Sequence, residues 1–150
     1  MSTTQRDPFV HAFYGHFRGL LQWEDMDRLW DRLRDRAEDS WYGYTVGEAP
    51  PRAPASAETL RAFLQHTAAL LRDGHREDYC GIVYVDDPIE PTFVKVFDPA
   101  NLGVVCGYSE QPPLPAWVLS LQPPVDLVTA RSRERPPRRG WRRWLTPPAR

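Results

Sequence analysis

Hydrophobic and polar positions alternate with two different periods along this chain, and the switch between them predicts its elements. From Pro8 onward, Phe9, Phe13, Phe17 and Leu20 recur at helical spacing, with Val10 and Leu21 beside them. Asp7-Pro8 is a natural start for that helix: the carboxylate caps free amide groups and proline at the first helical position sacrifices no hydrogen bond. Gly15 and Gly19 weaken it by up to about 1 kcal/mol each relative to alanine, or permit close approach of another element. His11 and His16, five apart, fall on different faces of such a helix and read as core-edge residues rather than paired ligands.

A second helix is predicted in QWEDMDRLWDRLRDRAED, where Trp23, Met26, Trp30, Leu33 and Ala37 form a stripe widened by Leu29. Acids in the first turn and arginines in the last suit the helix dipole, and Glu24 and Arg28 form an i,i+4 pair. The two-tryptophan face reads as core, because large aromatics dominate buried area. WYGYTVG, residues 41–47, then reads as a short aromatic strand. After a proline-rich loop, Ser56 caps a third helix carrying Leu60, Phe63, Leu64, Thr67, Leu70 and Leu71, which ends at Gly74.

The period shortens to two in residues 79–107, YCGIVYVDDPIEPTFVKVFDPANLGVVCG. Two β-branched runs flank a turn containing Pro88 and Pro91, neither of which can donate to a strand ladder, so an antiparallel hairpin is expected. It places Phe93, Lys95 and Phe97 on one face and Val94 and Val96 on the other. Residues 104–106 and 116–121 supply two further short strands. The order ααβαβββ implies an α+β domain, about three helices packed on one face of a small, mainly antiparallel sheet. A globular domain over residues 1–130 is followed by an Arg/Pro/Trp-rich tail over 131–150.

Composition changes this picture in two places. The chain has 150 residues, 41% hydrophobic and 26% charged, which suits one ordinary globular domain. Its 16 prolines are roughly twice the usual share of about 5%, which makes the connections rigid and irregular. The net charge of −1 hides an asymmetry. Residues 131–150 carry eight arginines against one acid, Glu134, a net +7; the first 130 carry 11 basic and 19 acidic side chains, a net −8. An acidic body therefore bears a basic tail, expected to be disordered alone because proline blocks regular structure and arginines repel. There is no apolar leader or membrane-length segment, and two cysteines without an export signal imply free thiols in a reducing compartment, so the expected location is cytoplasmic.

Four groups of residues offer chemistry. Lys95, the only lysine among 19 basic residues, lies between Phe93 and Phe97; partial desolvation of its amine would suit a nucleophile or an anion-binding cation, whereas a solvated or snorkelling lysine would do nothing. Cys80 or Cys106 with His75 is the minimal thiol pair, with Asp73, Glu77 or Asp78 to orient the imidazole; the alternative is buried cysteine acting as a small hydrophobe. His75, Cys80 and Cys106 also offer soft metal ligands, but close pairs such as CxxC or HxxxH are missing, as are phosphate-cradling glycine motifs, so no metal and no cofactor are expected. In the tail, Trp141 and Trp144 among Arg138, Arg139, Arg142 and Arg143 can stack on single-stranded bases while guanidinium groups meet phosphates, or lie at an anionic membrane surface. The leading expectation is a non-catalytic accessory or adaptor protein that binds a protein partner through its body and tail. A small thiol enzyme, with Lys95 holding an anionic substrate, and tail-mediated nucleic-acid binding are the alternatives.

Overall fold

The structure, a computed structural model, is described over residues 7–74, 80–99 and 114–134. Four helices and five strands follow the order α1 (Pro8–Phe13), β1 (Arg18–Leu20), α2 (Trp23–Asp35), β2 (Tyr42–Thr45), α3 (Ala57–Gly74), β3 (Val83–Val85), β4 (Phe93–Val96), β5 (Trp117–Ser120) and α4 (Leu127–Glu134). The strands form one antiparallel sheet in the order β1-β3-β4-β5-β2, which leaves β1 and β2 as its edges. The expected α+β class is therefore observed, and the β3–β4 hairpin pairs Val83 with Val96, Tyr84 with Lys95 and Val85 with Val94.

The first predicted helix is shorter than its stripe, and this is the main correction. Asp7 caps α1 as expected, accepting from the Phe9 N–H at 2.7 Å. The helix stops at Phe13, Gly15 bonds back to the Ala12 carbonyl, and the chain re-enters the sheet as β1. Phe17 and Leu20 keep helical spacing only by coincidence of their destinations: Phe17 joins the aromatic cluster on one sheet face, and Leu20 the core on the other. Gly19 is the close-approach residue, since a Cβ there would meet Tyr84 Cε2 at 2.8 Å. His11 and His16, expected at the core edge, are exposed.

The helices occupy both faces of the sheet rather than one. On the first face α2 and α3 cover a core of Met26, Leu29, Trp30, Leu33, Leu60 and Leu64 against Val83, Val85, Val94, Val96 and Leu119. Both tryptophan indoles within this core satisfy their N–H groups on carbonyls: Trp30 on Leu64 at 2.8 Å and Trp41 on Arg36 at 3.0 Å. On the second face α1 and α4 bring Phe9, Phe13 and Leu127 against Tyr44, Phe93 and Val118. The physical reason is visible in β4, whose Phe93, Val94 and Val96 are all buried. A central strand covered on both faces loses its polar alternation.

Local hydrogen bonds hold these parts in register. Ser56 Oγ accepts from the Thr59 N–H at 3.1 Å, the expected cap of α3. Arg72 joins α3 to α2, bonding Asp27 at 2.8 Å and lying over the Trp23 ring at 4.8 Å. Arg28 pairs with Asp25 rather than with Glu24. The N–H of Leu127 donates to the buried Tyr44 hydroxyl at 3.0 Å and ties α4 to edge strand β2. Helix α4 runs past residue 130, where the body was expected to end. The strand expected at 104–106 and the residues after 134 lie outside the described residues. No described helix is long and apolar enough to cross a membrane.

Candidate functional site

The acidic hairpin turn is occupied with its own backbone. Asp86 Oδ1 accepts from the N–H groups of Thr92 and Phe93 at 3.0 and 3.1 Å, and Oδ2 accepts from the Thr92 hydroxyl. Asp87 Oδ1 accepts from Ile89 and Glu90, and those two bonds hold its carboxyl below the usual aspartate range. These two carboxylates close the turn where Pro88 and Pro91 leave it without ladder bonds. Turning the chain here also sets Lys95 directly opposite Tyr84.

Lys95 is the most unusual cation among the described residues. Its cross-strand neighbours are Tyr84 on β3 and Val118 on β5, so all three side chains share the second sheet face. Its Nζ lies 4.0 Å from the ring centroid of Phe13 and 3.9 Å from that of Phe17. Among the described residues no carboxylate pairs with it. Burial pushes its pKa down to about 8. The expected flanking by Phe93 and Phe97 thus holds in part. Phe93 lies on the same face, tilted against Phe9 and edge-on to Phe17, but the rings that meet the amine come from α1 and the loop after it. Phe97 packs edge-on against Tyr84 instead, at 5.6 Å.

The thiol reading finds no assembled pair in the described part of the molecule. Cys80 is fully buried in the core beneath α2 and α3, and burial pushes its thiol pKa up. It sits on the opposite side of the sheet from Lys95. His75, Glu77, Asp78 and Cys106 lie outside the described residues, as do Arg138, Arg139, Trp141, Arg142, Arg143 and Trp144. Among the described residues no group of His, Cys, Asp and Glu side chains is placed to hold a metal ion.

A second feature was not anticipated from the sequence. An open groove of about 520 Å³ runs between edge strand β1 and the outer turns of α2, with Pro88 and Ile89 of the hairpin turn at one side. Its charged lining comprises Arg18, Arg28 and Arg32 together with Asp25, Asp31 and Asp35. Asp25 and Arg28 pair with each other, and Asp31 pairs with Arg34, all at the surface. Ile89 of the lining is 58% exposed, and Leu21, which follows Leu20 of the lining in sequence, is 61% exposed. Known family models, curated proteins and solved structures contain no match to this chain. Only the i,i+4 repeats of α2 hint at the groove in the sequence; its other walls come from segments about 70 residues apart along the chain.

Proposed function

We propose that the chain is a non-catalytic accessory protein whose folded body binds a partner protein at the β1 edge, in the groove beside α2. The observation that carries this reading is the combination of a sheet edge that no described strand pairs with and exposed apolar and charged side chains around it. An edge strand presents backbone N–H and C=O groups ready to pair with an extended segment. Leu21 and Ile89 add apolar anchors, while Arg18 and Arg32 offer cations to acidic side chains of the partner. The basic tail over residues 131–150 strengthens the encounter with the same acidic partner by charge. A reducing compartment such as the cytoplasm suits this reading, because Cys80 is a free thiol inside the core.

The test compares full-length protein with a chain cut after Glu134, each used to retain proteins from a native extract with and without nuclease. A protein retained by both forms and indifferent to nuclease is the expected result. Retention that requires residues 135–150 and disappears on nuclease treatment would replace this reading with nucleic-acid binding by the tail.

A further inference from the structure

We propose that Lys95 is an acylation site: its ε-amine, held against the rings of Phe13 and Phe17 with no carboxylate partner among the described residues, takes an acyl group from small acyl phosphates. The site lies on the sheet face opposite α2 and so stands apart from the partner groove. Three features of the geometry support it. The amine has aromatic faces 4.0 and 3.9 Å away but no described counter-anion, so among the described residues the rings are what offsets the removal of water from its charge. Its neighbours across the strands, Tyr84 and Val118, carry no carboxylate. Tyr84 remains 36% exposed, with its ring spread over Gly19, so this end of the face is not sealed.

The chemistry is an ordinary acyl transfer. The neutral amine attacks the carbonyl carbon of the acyl phosphate, a C–N bond forms, and the C–O bond to phosphate breaks. Phosphate leaves with the bonding electron pair, and the proton released by nitrogen goes to solvent. The two rings crowd the amine, which favours a small donor over a bulky carrier. The product is an uncharged amide set against an apolar cluster, so the reaction removes both the buried charge and its contact with the rings. Burial supports the reactivity as well, since it brings the amine to about 8. At pH 7.5 such an amine is neutral in about a quarter of molecules, against about one in a thousand for an ordinary lysine. A less basic amine is also a weaker nucleophile, by roughly tenfold here if amines follow the trend of thiols. The net expectation is acylation at least about tenfold faster than for an unfolded lysine.

The single lysine makes the test clean, because the only other amine in the chain is the α-amino group of Met1. Full-length protein and an N-acetylated peptide spanning Thr92–Asp98 are treated with acetyl phosphate from pH 6.5 to 10.5, and acetylation is located by peptide mass mapping. The expected result is modification of Lys95 at pH 7.5 about tenfold faster than the peptide, with a rate that levels off above about pH 8 while the peptide's keeps rising. Modification confined to Met1, a Lys95 rate equal to or below the peptide's, or two pH profiles that rise in parallel would each overturn the proposal.

Discussion

Replacing Lys95 by methionine should stabilise the protein at neutral pH, and the size of the effect follows from the packing around the amine. Methionine keeps an unbranched apolar stem against Phe13 and Phe17 but carries no charge. The folded amine titrates near 8 and the unfolded one near 10.5, a gap worth at most about 3.4 kcal/mol. The side chain is only half-buried, and solvent screening reduces this to about 1–2 kcal/mol. Two ring contacts of roughly 0.5–1 kcal/mol each act in the opposite sense, holding the ammonium in place. Desolvation by burial is what lowers the pKa, and it is expected to outweigh the ring contacts. The folded pKa lies below the unfolded one, so between about pH 8 and 10.5 the unfolded chain binds more protons and stability rises with pH. The cost of the buried charge is fully present below pH 8. Lys95→Met should therefore exceed the parent by about 1–2 kcal/mol at pH 7 in urea denaturation, with a gain of several degrees in Tm. The advantage should fade as pH approaches 10.5. Because the chain has one lysine, a ¹³Cε-labelled sample gives one lysine resonance whose titration reports the folded pKa directly. A variant less stable than the parent at pH 7, or a difference that does not change with pH, would refute the reasoning and assign the net effect to the aromatic rings.

Three other outcomes follow from the core and the hairpin. Trp30→Ala removes a fully buried indole and its hydrogen bond to the Leu64 carbonyl; a loss of about 3–5 kcal/mol in chemical denaturation is expected. Asp86→Ala strips acceptors from the Thr92 and Phe93 N–H groups and should cost about 1–2 kcal/mol, whereas Asp86→Asn, which keeps one carbonyl acceptor, should cost less in the same assay. Cys80, buried with its thiol pKa raised, should react with iodoacetamide at pH 7.5 only as fast as the protein unfolds; rapid alkylation of native protein at this residue would revive the thiol-enzyme reading.

The elements that came through from sequence are those whose local signals and tertiary contacts agree. In α2 the stripe of Met26, Leu29, Trp30 and Leu33 is the buried stripe of the helix, and Ser56 caps α3 where its side chain suggests. The β3–β4 hairpin was legible because Pro88 and Pro91 forbid a continued ladder and β-branched residues lie on both sides. The boundary between α1 and β1 was hidden, since Phe13 and Phe17 contact the same Lys95 amine from a helix and from a loop. Their fourfold spacing survives the end of the helix through that shared contact. The two-sided cover of the sheet was hidden for a related reason: an aromatic stripe announces that it will be buried, not which face of the sheet it will bury. The groove was the least legible feature, because Arg18, Arg32 and Ile89 acquire a common surface only when β1 meets α2 and the hairpin turn.

The most direct test of partner binding at the β1 edge is the affinity of groove variants for the protein retained by the folded body. Leu21→Glu and Ile89→Glu change exposed side chains beside the groove, and Leu70→Glu changes a 39% exposed position on α3 as a control. Measured by biolayer interferometry against that partner, the two groove variants should bind at least about tenfold more weakly, the cost of losing roughly 1.4 kcal/mol of contact, while Leu70→Glu binds like the parent. Undiminished binding by both groove variants would contradict the account and move the interface elsewhere on the molecule.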